Sequence, residues 1–234
     1  MKNSKKLLII FLICCFVLVT NADHIAYANE TKRVYSKNRE KIGQVALTFD
    51  DGPHPRYTKA ILDILEEYHI TATFFVIGVN ATLYPEALLA ISDAGCEIGN
   101  HTFTHENLRN ASSEHISNEI SKCEAAVGNY VKNEKKLFRP PQGAYTKVLE
   151  ATASSKGYDI ILWSIDTEDW AHTAPDKIAE NVLSSLSDGD IILMHDYTSG
   201  KNTTCDALKI LIPEILKRGY EFVTVSELIS GESS

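Results

Sequence analysis

The chain is poor in cysteine, in basic residues and in long apolar runs, and each shortage closes off a class of protein. Its 234 residues include five cysteines, and Cys14 and Cys15 sit inside an N-terminal apolar run. Cys96, Cys123 and Cys205 remain, an odd number that forms no complete disulfide framework. Cys96 lies in the stretch Ala94-Gly95-Cys96-Glu97-Ile98 and reads as a buried free thiol. Lys and Arg number 23 against 31 Asp and Glu, a formal charge of −8, which argues against nucleic acid as a partner. The apolar run from Leu7 to Val19 is too short to span a bilayer comfortably. No internal repeat or low-complexity block appears. What is present, 44% hydrophobic and 23% charged residues, is ordinary for a globular protein.

The N-terminus differs in kind. Lys2, Lys5 and Lys6 precede the apolar run, and Ala26-Tyr27-Ala28 supplies small residues at the two positions that a signal peptidase reads. Residues 1–28 therefore read as a signal peptide cleaved after Ala28, and the protein as secreted. An uncleaved membrane anchor is the alternative, and the short run and following cleavage site argue against it. A lipoprotein is disfavoured, because Cys14 and Cys15 lie within the run and not at its end. Cleavage removes three lysines and Asp23, leaving a formal charge of −10. Such a surface has no long-range attraction to an anionic cell-wall polymer. Residues 29–42 are polar and charge-rich and read as an exposed lead-in to a single domain over 43–230.

From Gln44 onward, short apolar runs alternate with helical patterns. Val45 to Phe49 reads as a buried strand, followed by a helical stripe of Ile61, Leu62, Leu65 and Tyr68. Further strands are expected at Thr73–Ile77, Cys96–Gly99, Leu137–Phe138, Tyr158–Trp163, Asp190–Met194 and Tyr220–Val225. Helices are expected from Pro85 to Gly95, Ser113 to Tyr130, Lys147 to Lys156 and Pro175 to Leu186. A last one, from about Ala207 to Arg218, is expected to be interrupted near Pro213. Such alternation argues for a parallel sheet with crossover helices. About seven units in about 190 residues suggest an α/β fold of the (β/α) barrel type, compact and incomplete. A doubly wound open sheet is the alternative.

The polar clusters fall where these strands end. Thr48-Phe49-Asp50-Asp51-Gly52-Pro53 follows the first strand and His101-Thr102-Phe103-Thr104-His105 the third. Arg139-Pro140-Pro141-Gln142-Gly143 follows the fourth, Asp166-Thr167-Glu168-Asp169-Trp170 the fifth, and His195-Asp196 ends the sixth. In a βα barrel all these loops open onto one face. His101 and His105, four apart, would lie on one side of a helical turn. With Asp51 they would make three ligands and leave one position open, as catalytic zinc requires. By itself the pair could equally be two surface histidines, since it lacks the glutamate of HExxH. Asp50-Asp51 could likewise be a capping turn. Yet adjacent carboxylates after an apolar strand repel each other unless a cation or proton intervenes. A metal on one and general-base duty for the other resolves that conflict.

Together, TFDDGP, HTFTH, RPPQG, DTEDW and LMH resemble, in order, the motifs of the polysaccharide deacetylase family, also called the NodB-homology domain or carbohydrate esterase family 4. The likeness runs from about Gln44 to Leu228. It implies a distorted (β/α)7–8 barrel with a groove. It further implies one divalent ion, usually zinc with cobalt as an alternative, on Asp51, His101 and His105. Asp50 would be the general base for the attacking water, and Arg139 would set its orientation. His195 would protonate the leaving amine, with Asp169 holding its imidazole. The backbone N–H of Gln142 would help stabilise the oxyanion, and Trp170 would form groove wall. At position 142 many relatives carry an aromatic residue or glycine; with Gln here the backbone donor survives, and the local shape of the groove is left open. Tyr145 is either a groove aromatic or packing behind the RPPQG loop. His54 lines the groove or bonds a loop carbonyl. His69, His115 and His172 read as solvated, Trp163 as core, and Asp166 as a capping support for the Asp169 loop.

The resemblance implies a monomeric enzyme that removes N-acetyl groups from GlcNAc units of peptidoglycan or a chitin-like glycan. O-deacetylation, as in related acetylxylan esterases, is the second reading. A catalytically silent glycan-binding domain is the third, and it would predict the loss of a ligand, base or acid. None is missing.

Overall fold

The computed structural model describes residues 34–198 and 202–231, so the expected signal peptide lies outside the described residues. Nine strands occur among them: β1 (Val34–Tyr35), β2 (Gln44–Asp50), β3 (Thr73–Val76), β4 (Glu97–Asn100), β5 (Lys136–Phe138), β6 (Tyr158–Ile161), β7 (Ile165–Asp166), β8 (Ile191–His195) and β9 (Glu221–Phe222). The eight helices among them are α1 (Tyr57–Glu67), α2 (Gly78–Leu83), α3 (Pro85–Asp93), α4 (Ser113–Val127), α5 (Lys147–Ser155), α6 (Pro175–Ser185), α7 (Thr204–Lys217) and α8 (Val225–Ile229). The strands form one sheet in the order β1-β6-β5-β4-β3-β2-β8-β7, with β9 also on β2. Every strand pair in it is parallel.

The sheet curls into a distorted barrel, and one stretch of chain joins its two sides. β6 pairs with β5 through Lys136↔Tyr158 and Phe138↔Ile160. Only a few residues later, β7 pairs with β8 through Ile165↔Ile192. The segment 158–166 thus faces β5 at its start and β8 at its end.

Alternation along the strands sorts side chains between two cores, as the pleat requires. Val45, Leu47 and Phe49 of β2, Phe74 and Val76 of β3, and Ile192 and Met194 of β8 face outward. They pack against the stripes Ile61/Leu62/Leu65 of α1 and Leu208/Leu211/Ile212/Ile215 of α7. Each fully buried side chain of this size contributes ~1.5–3 kcal/mol. Ala46, Phe75, Leu137, Ile161 and Ile191 face inward and fill the barrel, together with Val223, Val225, Leu228 and Ile229 from the C-terminal segment. Gly99 makes room for them: a Cβ there would meet the Phe75 ring at 2.4 Å.

Helix starts follow their capping residues. Ser112 Oγ accepts from His115 N at 3.2 Å and Thr146 Oγ1 from Leu149 N at 3.1 Å, each satisfying an otherwise orphaned donor. Pro85 and Pro175 open α3 and α6.

Several sequence expectations change: the strand expected over Tyr158–Trp163 stops at Ile161, and Val225, expected to end a strand, opens α8. The lead-in is not wholly exposed: Val34–Tyr35 adds to β6 as an edge strand, Tyr35 is buried, and so is Asn38, whose Nδ2 donates to Leu228 O at 2.8 Å. And Pro213 does not interrupt α7, which runs through it. The carbonyl that loses its partner belongs to Lys209, which is solvent-exposed, while the buried stripe on either side holds the helix together. Among the described residues Cys96, Cys123 and Cys205 are free, with Cys96 and Cys123 buried, and no helix is long and apolar enough to cross a membrane.

Candidate metal centre and its flanking residues

The C-terminal rim of the barrel gathers Asp50 and Asp51 from the end of β2, His101 and His105 from the loop after β4, Arg139 after β5, Asp169 after β7 and His195 at the end of β8. One ligand atom each from Asp51, His101 and His105 lies within 4.8 Å of the others. Asp51 Oδ1 is 3.5 Å from His101 Nε2 and 3.2 Å from His105 Nε2. Tetrahedral ligands at ~2.0–2.1 Å from zinc stand about 3.4 Å apart, so these spacings fit one ion. Two further observations agree. Asp51 Oδ1 is buried with no hydrogen-bond partner. His101 Nδ1 lies 2.8 Å from Arg139 O and donates to it, which leaves the Nε2 lone pair facing Asp51.

The two histidines do not meet on a helical turn, as their spacing suggested. Residues 101–108 are irregular, and the rings converge, centroids 5.0 Å apart, because the loop doubles back at positive φ. Asp51 (75°), Thr102 (69°) and His105 (63°) all occupy the left-handed region, at ~1–3 kcal/mol each. Neighbouring hydrogen bonds hold them there. Asn80 Nδ2 donates to Asp51 O at 2.8 Å, Thr102 N to Asn100 Oδ1 at 2.9 Å, and His105 N to Thr102 Oγ1 at 3.0 Å.

Glu119, absent from the candidates named above, fixes the same loop from α4. Its buried Oε2 accepts from Phe103 N at 3.1 Å, Thr104 N at 2.8 Å and Thr104 Oγ1 at 2.9 Å. The helical stripe of α4 could have flagged it: Glu119 occupies a buried position beside Ile116, Ile120 and Cys123. A carboxylate there needs partners.

Asp50 is buried behind the ligands, with Oδ2 3.6 Å from His101 Nε2. Arg139 Nη1 donates to Asp50 Oδ1 at 2.7 Å and to Thr48 Oγ1 at 2.8 Å. The guanidinium is fully buried. Nε and Nη2 donate to Ile161 O and Leu162 O, both at 3.2 Å, and its carbon sits 4.0 Å from the Phe75 ring centre. A buried cation so completely bonded is a fixed post for the carboxylate.

At the end of β8, His195 Nδ1 donates to Asp169 Oδ1 at 2.8 Å, while Asp169 Oδ2 accepts from His195 N and Thr204 Oγ1, each at 2.8 Å. Burial lowers the imidazole's proton affinity, but the hydrogen bond and charge of Asp169, with Asp50 and Asp51 beyond, raise its pKa to about 9. Burial alone would lift Asp51, yet the bond and charge of His101 and the charges of His105 and His195 hold its carboxyl below the usual range.

The remaining candidates divide. Gln142 is exposed at φ 56°, its Oε1 accepting from Asn107 Nδ2 at 2.6 Å. Trp170 is exposed at the rim and donates to Asp166 Oδ1 at 3.3 Å; the same oxygen caps Glu168 N at 2.9 Å, the supporting role expected of Asp166. Tyr145 is half-buried and packs against the cluster behind its loop, and its hydroxyl bonds Glu150 of α5. Trp163 is packed against the barrel core.

A candidate three-ligand centre that shares the C-terminal rim of a parallel barrel with a buried carboxylate–arginine pair and a carboxylate–histidine pair has the layout of a hydrolase site. Residues 37–161 match the profile of the polysaccharide deacetylase family. The chain belongs to that family. It is 42% identical over 194 residues to a peptidoglycan-N-acetylglucosamine deacetylase of Bacillus cereus, across 82% of this chain and 90% of the relative. Its fold matches the crystal structure of the Bc1960 peptidoglycan N-acetylglucosamine deacetylase with a TM-score of 0.79 at 35% identity, covering 83% of this chain and 91% of that one. It also matches BA3943, a family pseudoenzyme from Bacillus anthracis, with a TM-score of 0.79 at 28% identity over 86% of this chain and 70% of that one.

Proposed function

We propose that the protein is a secreted N-deacetylase that hydrolyses acetamido groups of GlcNAc-type residues in peptidoglycan or a chitin-like glycan. One observation carries the reading. A buried carboxylate braced by Arg139 and an imidazole braced by Asp169 stand on the same rim as a single ligand set.

Amide hydrolysis consumes one water and yields acetate and an amine, so a site must take a proton from the water and give one to nitrogen. Asp50, held by Arg139, accepts the water's proton. His195, kept protonated by Asp169, donates to the departing amine; such a positioned pair typically adds ~10²–10⁴-fold. The N–H of Gln142 serves as an oxyanion donor, a contribution of about 3 kcal/mol. A divalent ion on Asp51, His101 and His105 would polarise the acyl oxygen and lower the pKa of water toward ~7. Two nitrogens and one oxygen suit zinc. The complete set of base, acid and ligands argues against a silent binding domain. Export with cleavage after Ala28 fits a wall-facing substrate.

The test is mass spectrometry of a panel of acetylated glycans incubated with the mature, metal-loaded protein. Loss of acetyl mass from N-acetylglucosamine oligomers or glycan strands is expected, and N-terminal sequencing of exported protein should begin at Asn29. Turnover confined to O-acetylated xylan oligomers would replace the reading with O-deacetylation. No turnover of any acetylated glycan would overturn it.

A further inference from the structure

Four aromatic rings that the mechanism does not use are grouped on the rim between the β2 and β8 loops. His54 follows metal ligand Asp51 by three residues, and Tyr197 follows His195 by two. Their rings are stacked nearly parallel, centroids 5.0 Å apart at 9°. Tyr57, the first residue of α1, stacks on His54 at 4.8 Å, and Tyr84 lies 6.1 Å from it. His54 is fixed in place: its Nδ1 accepts from Arg56 N and Tyr57 N, both at 3.3 Å, so the proton sits on Nε2. Its backbone N donates to Thr58 Oγ1 at 2.7 Å, and that hydroxyl donates to the buried Asp196 Oδ2 at 2.5 Å. Burial, then the charge of Arg56, holds the imidazole below the ordinary histidine pKa.

Tyr197 stands on this rigid base with 41% of its surface exposed. Packing alone does not call for a large ring there, whereas a flat, preorganised aromatic face is what a pyranose requires for stacking of its C–H face. Two residues of chain put its Cα within about 7 Å of that of His195, the reach of a sugar ring next to the one being deacetylated.

We propose that Tyr197, seated on His54, is a sugar-binding platform that holds a neighbouring residue of the glycan chain. The platform makes the enzyme prefer an oligomer over a single sugar. This rests on the glycan deacetylase reading, and the experiment separates the two. Acetate release is measured for the full-length mature enzyme and for Tyr197→Ala, Tyr197→Leu and Tyr197→Phe. The substrates are an N-acetylglucosamine oligomer and an activated aryl acetate ester. Removing one ring of apolar contact should raise the oligomer's KM about tenfold in the Ala and Leu variants, with kcat changed far less. The ester's kcat/KM should fall several-fold less than the oligomer's. Tyr197→Phe, which keeps the ring, should behave as the parent. Equal losses on both substrates, or no change in oligomer KM, would overturn the platform. If the parent releases acetate from neither substrate, the deacetylase reading has failed, and calorimetric binding of a fully deacetylated glucosamine oligomer then decides the platform. Weaker binding by Tyr197→Ala supports it, and equal binding refutes it.

Discussion

Replacing Asp169 with Asn tests whether His195 acts as an acid because Asp169 keeps it charged. Asp169 faces His195 from both the ring and the backbone, and the imidazole pKa of about 9 results chiefly from that carboxylate, opposed by burial. Asn is nearly isosteric but neutral, so the pKa should relax to about 6.5 or lower. At pH 8 the protonated fraction would drop from ~90% to ~3%, whereas at pH 6 it would drop only from ~100% to ~75%. The substitution also disturbs ring orientation, a loss that is independent of pH. Dividing the kcat/KM loss at pH 8 by that at pH 6 cancels the pH-independent part and leaves about twentyfold. The assay is acetate release from an N-acetylglucosamine oligomer by metal-saturated enzyme across pH 5.5 to 9, a range set by the two pKa values. Equal losses at the two pH values would refute the claim that Asp169 acts through charge. The same shift bears on stability. His195 is raised on folding, so its contribution is fully present below its unfolded pKa and is lost as pH rises through about 9. Parent but not variant should therefore show a Tm that declines across that window.

The double variant His101→Ala, His105→Ala should lose bound divalent metal and activity while keeping its circular dichroism spectrum; unchanged metal stoichiometry would refute the ligand set. Glu119→Ala removes the acceptor shared by the N–H groups of Phe103 and Thr104 and so loosens the loop that carries His101 and His105. It should weaken metal affinity about 10–100-fold, read by competition with a chelating dye. Gly52→Ala would put a Cβ 2.0 Å from Asp196 Oδ2; overpacking of this kind costs ~1–3 kcal/mol, so Tm should fall and activity with it, and a parent-like Tm would show that the loop yields freely.

The sequence made the parallel barrel and the catalytic rim legible, because inward and outward strand positions alternate and the polar clusters follow strand ends. It did not show β1. Val34-Tyr35 is too short to carry a period, and its strand conformation comes from β6, more than a hundred residues away. Thr102 could not be read as left-handed, because a β-branched residue disfavours positive φ, and nothing local marks His105; the fold imposes both through Asn100 and Glu119. The HxxxH spacing therefore suggested a helical turn where there is a doubled-back loop. Glu119 was missed for a related reason: an isolated acid on a helix usually faces water, and its place in the apolar stripe of α4 is the one signal to the contrary. Pro213 reversed the usual punctuation because tertiary packing outweighs one missing N–H.

The filling of the barrel interior by the C-terminal segment has a consequence for biosynthesis. The interior is filled by Val223, Val225, Leu228 and Ile229, and the first described strand is tied to the last helix through Asn38 and Leu228. Early and late residues thus close the same hole, so a nascent chain cannot seal its core until residue 229 has left the ribosome. Contacts of such long sequence separation form slowly. Until then the ring's inner surface stays open, a state in which a polypeptide can still be threaded or bound by a chaperone.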